Sequence, residues 1–324
     1  MEWLLVLAWW LGGTGLVPGG DLPGPKTEAS SAPAAPSRVG TGFDFERRSD
    51  RLKIRLNGRP AAEFVFRDAR ILRPYFAQVC APNGVQVTRR HPPVAGSDAT
   101  DHDTMHPGLW LAFGDLSGAD FWRNKARMDH LGFVDEPRVD GGRLSFATES
   151  RLSDERGTVR CHLIQRFGLI PLGEAWRMDW VAELRSEDGD FAFGDQEEMG
   201  LGARVATPMA EKNGGRLRSS EGRESAASTW GRAAAWCDYS GRVEGEPAGI
   251  TLMADPANFR PSWWHNRDYG LFVANPFGRA AMRQGEVSSV VVRRGESFVL
   301  RFGVLIHGGD APDPAAAYRD FLRR

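Results

Sequence analysis

The feature that most restricts this chain is an apolar and polar alternation of period two. Leu52, Ile54 and Leu56 alternate with Lys53, Arg55 and Asn57, and Trp176, Met178, Trp180, Ala182 and Leu184 alternate with Arg177, Asp179, Glu183 and Arg185. Side chains of an extended strand point to opposite faces in turn, so these segments read as strands with one dry face and one wet face. Asn57-Gly58 supplies a turn able to take positive φ before Phe64 and Phe66 resume the alternation, which makes this region a hairpin. Further strands are expected at 143–149, 157–169, 199–206, 249–254, 270–275, 287–294 and 297–306. Thirty-eight Gly and 20 Pro punctuate them, as short strands joined by many turns require. The fold expected is all-β, a large antiparallel β-sandwich, with one short C-terminal helix where Pro314 precedes AAAYRDFLRR.

Residues 3–17, WLLVLAWWLGGTGLV, are too short an apolar run to span a bilayer comfortably and lie where an export signal would. The reading is a signal peptide over 1–20, a Gly/Pro/Ser/Ala linker over 21–42 and a single domain over 43–324, exported to the periplasm or the cell exterior. No later run could cross a membrane as a helix. With 41 basic against 42 acidic side chains, no whole-chain field exists to gather nucleic acid. A small molecule or oligosaccharide, neutral or weakly charged, suits that balance. Three widely spaced cysteines allow at most one disulfide and no zinc ribbon. No dinucleotide fingerprint, phosphate-binding loop, GxSxG elbow, HExxH or CxxC occurs, and the cofactor is left undetermined.

Two stretches concentrate chemistry. In Asp101-His102-Asp103-Thr104-Met105-His106, four proton carriers or potential metal ligands fall within six residues. They could converge only if the run is a loop, and either an imidazole acid/base or a His/carboxylate metal site would use them; a polar surface loop is the plain alternative. The run leads into GLWLAFGDLSGADFW, whose Trp110 could stack on a sugar ring or build core. The second stretch, 253–278, gathers Trp264, His265, Arg267, Asp268 and Asn275 in an ordered loop, where they line a pocket or serve a buried structural loop. Between the two, Asp195, Glu197 and Glu198 crowd before a strand, and Glu198 is the carboxylate taken for acid/base work.

The segments RPYFAQVCAPNGVQVTRRHPP, DHDTMHPGLWLAFGDLSGADFW, WGRAAAWCDYSG and NFRPSWWHNRDYGLFVANPFG resemble a bacterial family of largely exported proteins called methane oxygenase PmoA, a domain of unknown function. The resemblance runs from about Leu72 to Gly278. Asp101, His102 and His106 fit the family's His-rich run with altered spacing, while Trp264, His265, Arg267, Asp268 and Asn275 agree well. It implies a β-sandwich protein of polysaccharide-degrading bacteria. The expectation is an exported carbohydrate-active enzyme on a sandwich of the mutarotase-like supersandwich type, acting on a glycoside or oxidised sugar by hydrolysis, elimination or epimerisation. His102 or His106 carries the proton with Glu198 as partner, His265, Arg267 and Asp268 orient the substrate, and Trp110 and Trp264 stack on the ring. A non-catalytic glycan-binding module is the first alternative, and a metal-dependent oxygenase or hydrolase the second. Everything rests on the two loops meeting in space.

Overall fold

The structure, a computed structural model, describes residues 41–309 and 313–323. The expected signal peptide and nearly all of the expected linker fall outside the described residues. Two eight-stranded antiparallel sheets make up most of the rest. The first runs, edge to edge, through Phe43–Arg47, Arg51–Leu56, Arg59–Val65, Tyr75–Ala77, Leu109–Phe113, Met199–Arg204, Leu271–Asn275 and Trp263–Trp264. The second runs through Arg216–Ser219, Trp236–Val243, Glu246–Ala254, Ser297–Gly308, Ala175–Arg185, Val159–Leu172, Arg143–Ser153 and Arg127–Asp140. The fold is all-β, as the alternation requires.

The hairpin forms at Asn57 and Gly58, with φ of 51° and 75°, the pair of positive values that a two-residue turn needs to match strand twist. Its Phe64 reaches across the sandwich to Phe146 and Phe167, each 5.2 Å away between ring centroids, and Phe76 meets Trp180 at 5.5 Å. These rings are buried, and each contributes roughly 1.5–3 kcal/mol through the apolar surface it removes from water. The C-terminal helix Pro314–Leu322 starts on an Asp313 cap that accepts from the Ala315 N–H, and its buried Phe321 closes on Trp236, Met253 and Leu305 at the outer face of the second sheet. All three cysteines are buried and unbridged.

One strand expectation changed, and one long strand was not expected. The segment 287–294 keeps only Val290–Val292, paired with Phe191–Phe193. The 14-residue strand Arg127–Asp140 gave no alternation, because it is an edge strand with three register shifts whose Leu131 and Val134 stay about half exposed.

Register decides what the first sheet presents outward. Phe76 pairs with Leu109, and Leu201 pairs with both Leu111 and Ala274; these side chains face the other sheet. The alternate residues Trp110, Gly202, Arg204 and Val273 therefore face away from it, and His265, whose N–H bonds the Val273 carbonyl, follows them. Gly202 is required there: a Cβ would come 2.9 Å from the Trp122 ring and 3.0 Å from that of Trp110. Gly202→Ala is expected to cost about 1–3 kcal/mol by overpacking. Thermal unfolding measures this, and an unchanged midpoint would show that the indoles do not lie across this strand.

Candidate active site

Both chemistry-bearing loops sit on the outer face of the first sheet, and they touch. Four rings form one column: Tyr269 lies 6.0 Å from His102, His102 lies 5.0 Å from His106, and His106 lies 5.2 Å from Trp110, with interplanar angles of 14°, 25° and 11°. Tyr269 comes from the second loop and the other three from the first. Arg204, buried at the end of Met199–Arg204, ties them together. Its guanidinium donates to both Asp101 carboxylate oxygens at 2.9 Å and stands 4.5 Å from the Tyr269 ring centroid. Burial opposes the charge on Asp101, but the bonds from Arg204 and His102 prevail and hold it far below the usual carboxylate range.

The conformation of the first loop is imposed from beneath. The buried Arg89 donates to the carbonyls of Ala99, Asp101, His102 and His106, at 2.6 to 3.2 Å. His102 is held at φ 51°, a value uncommon outside glycine. Its Nδ1 lies 2.9 Å from Asp101 Oδ2 and its ring is exposed. His106 is buried, and desolvation together with Arg204 pushes its pKa well below the ordinary imidazole value, so it is neutral. It serves as a packing surface between His102 and Trp110.

The pair with catalytic geometry lies beside this column. His265 Nδ1 is 3.0 Å from Glu197 Oε2, and the same oxygen accepts from Arg267 Nη2 at 2.7 Å. The Trp230 indole Nε1 is also 3.3 Å from His265 Nδ1. One ring nitrogen cannot donate to a carboxylate and accept from an indole at once. The bond to ionised Glu197 is charge-assisted and shorter, so Nδ1 carries the proton. Burial lowers the His265 pKa against the raising influence of Glu197, while the hydrogen bond from His265 leads the lowering of Glu197. At neutral pH this is a neutral imidazole with a fixed tautomer beside a carboxylate, the arrangement of an oriented general base.

The sequence matches the family of unknown function DUF6807 over residues 51–320. The chain belongs to this family. Among solved structures it is similar to a galactose 1-epimerase from Lactobacillus acidophilus NCFM, at 8% identity and TM-score 0.44 over 84% of this chain and 100% of that one. It is also similar to a galactose mutarotase related enzyme from Lactobacillus acidophilus, at 9% and 0.39 over 84% and 98%, and to a galactose mutarotase-like protein from Lactobacillus casei ATCC 334, at 9% and 0.37 over 82% and 100%. No curated protein matches the sequence. The family and these likenesses name no reaction for this chain.

In this DUF6807 member, Glu198 does not face an imidazole: its carboxylate is on Arg123, which also reaches Asp120. Glu197 is the partner instead. Trp110 and Trp264 are fully buried, Trp110 under His106 and Trp122, and Trp264 on the inner face with its N–H on the Ala234 carbonyl, so neither offers a face to a ring. The half-buried aromatic faces are those of Trp230, Trp263 and Tyr269. Asn275 is wholly buried; it donates to the Gln196 and Glu197 carbonyls and accepts from the Phe277 and Gly278 N–H groups, which fixes the turn carrying Glu197. Asp268 is exposed and contributes its backbone carbonyl to Lys212. Among the described residues no three His, Cys, Asp or Glu side chains are grouped to hold a metal, since Asp101 is clamped by Arg204 and Asp103 faces Arg70. Arg204, Arg89, Trp230 and Tyr269 were not singled out from sequence.

A second imidazole and carboxylate pair, His307 with Asp238, lies on the outer face of the second sheet beside a cavity of about 480 Å³. Asp238 Oδ1 already accepts from His307 Nε2 and Thr251 Oγ1, and Oδ2 faces Arg218 at 3.6 Å. With its oxygens so engaged, that carboxylate serves to tie strands together.

Proposed function

We propose that this protein is an exported carbohydrate-active enzyme that moves a proton on an oxidised sugar, by elimination or epimerisation, with His265 as the base and Glu197 as its orienting carboxylate. One observation carries the reading: the 3.0 Å contact between a buried imidazole and a carboxylate that Arg267 also holds, next to a half-buried indole. Removing a proton beside a carbonyl builds negative charge on oxygen, and this face offers guanidinium N–H donors from Arg267, Arg204 and Arg123, each of which also holds a carboxylate. Hydrolysis fits less well. It needs one carboxyl group kept protonated as the acid, whereas Glu197 is held ionised and Glu198 lies on Arg123. The faces of Trp230, Trp263 and Tyr269 suit the apolar side of a sugar ring.

The test is proton exchange. The full chain is incubated in D₂O with galactose, methyl 3-keto-glucoside and galacturonate, and carbon-bound hydrogen is followed by NMR. Deuterium is expected to enter next to the carbonyl or carboxylate of an oxidised sugar, and His265→Ala should abolish this. Tight binding of the same sugars without exchange would leave the glycan-binding module as the correct reading. Among the described residues no helix is long and apolar enough to cross a membrane.

A further inference from the structure

We propose that the cavity lined by Trp230 is an anion subsite, and that the sugars handled at His265 carry a carboxylate or a sulfate group. This rests on the reading of His265 and Glu197 given above and adds the substrate class. The cavity, about 520 Å³, is walled by Arg223, Arg232, Arg283, Ser228, Gln284 and the Trp230 indole, with no acidic side chain in its lining. Among the described residues, none of these three guanidinium groups pairs with a carboxylate. Their neighbours do: Arg204 is on Asp101, Arg267 on Glu197 and Arg123 on Glu198. In a chain whose charges nearly cancel, three uncompensated cations around one hollow form a local field that an anion would relieve.

The cavity shares a wall with the proposed centre. Arg283 stands 6.0 Å and Arg267 5.6 Å from the centroid of the same Trp230 ring, while the indole Nε1 lies 3.3 Å from His265. A ligand reaching from the arginines along the indole arrives at the imidazole.

Two of the arginines sit on fixed backbone. Arg232 follows the turn at Gly231, whose φ is 66°, and is pinned to Trp263–Trp264: its carbonyl accepts from the Trp264 N–H, and Trp230 and Ala233 on either side bridge to that strand. Arg283 lies in a loop closed by Asp195, whose carboxylate accepts from the N–H groups of Ala280, Ala281 and Ser288. Asp195 is two residues from Glu197, so one turn positions both the catalytic carboxylate and the arginine loop. Planar guanidinium forks match the oxygens of carboxylate and sulfate, and the volume is in the range that small-molecule sites occupy.

The experiment measures binding of galacturonate, galactose 6-sulfate and galactose to the full chain by calorimetry and tryptophan fluorescence, alongside the D₂O exchange assay. Wild type is expected to bind at least one acidic sugar about tenfold or more tightly than galactose, with affinity falling as salt rises. Arg232→Gln/Arg283→Gln should lose that preference and keep its affinity for galactose, and the arm that binds tells carboxylate from sulfate. Equal affinity for acidic and neutral sugars, no binding of either acidic sugar, or a preference unchanged in the double variant would overturn the subsite. Exchange without acid preference removes the subsite and leaves the base intact; acid preference without exchange does the reverse.

Discussion

Glu197→Gln is expected to reduce turnover by about 10²- to 10⁴-fold, the loss typical when an imidazole base keeps its place but loses the carboxylate that fixes its tautomer. The Gln amide can present oxygen or NH₂ to His265 Nδ1, so the ring is no longer held with its other nitrogen free to accept a proton. The pH profile separates this from simple damage. His265 must be neutral to act, so the wild-type rate rises with pH through the His265 pKa, which burial places below the ordinary imidazole value. Glu197 is the group that raises that pKa, by hydrogen bond and by charge. Without it the imidazolium is less stable, and the acid limb should move to lower pH even as the plateau falls. His265→Ala should remove the limb altogether, with circular dichroism and thermal midpoint showing that the sheet persists. A plateau within twofold of wild type, or a limb displaced upward, would rule out His265 with Glu197 as the proton-moving pair.

Much of this was legible from residue pattern, and what was not has a definite physical origin. Strands with one wet face declare themselves by alternation, as Leu52 to Leu56 and Trp176 to Leu184 do. Arg127–Asp140 does not, because an edge strand broken by bulges has no constant dry side. The two loops were found because His, Asp, Trp and Arg are costly to gather without purpose. Choosing among Asp195, Glu197 and Glu198 was beyond reach, since each takes its partner from a distant part of the chain: backbone near Ser288 for Asp195, His265 and Arg267 for Glu197, Arg123 for Glu198. The choice of aromatic faces failed for a related reason. Trp263 and Trp264 are neighbours on a two-residue strand, too short for any period to say which points inward. In the sequence Arg204 and Arg89 look like ordinary charged residues, although the protein buries both and uses them to bind one loop to the sheet.

The largest stability effect is expected far from that face, at Asp238→Ala. The carboxylate lies on Trp236–Val243 opposite Thr251 of Glu246–Ala254, and takes hydrogen bonds from Thr251 Oγ1 at 2.7 Å and from His307 Nε2 at 2.9 Å, His307 being on Ser297–Gly308. The two side chains are 1% and 2% exposed, although both border the cavity noted above. Deleting the acceptor strands a buried imidazole N–H and a hydroxyl across three adjacent strands, at a cost of about 3–5 kcal/mol. At roughly 2–4 °C per kcal/mol for a domain of this size, the midpoint should fall by about 6–20 °C. The sign of the pH dependence follows from Asp238 itself. Burial disfavours its charged form, but His307, Thr251 and Arg218 more than offset this and leave its pKa below the ordinary value. A carboxylate depressed in the folded state stabilises above its unfolded pKa, near 3.9, and that stability is lost as pH drops through the folded value. The gap between wild type and Asp238→Ala should therefore be widest near neutrality and narrow in acid below about pH 4. Urea titrations of both proteins at pH 7 and pH 3 measure it, and a gap equally wide at both would mean that the variant loses packing alone and that no ionised carboxylate ties these strands.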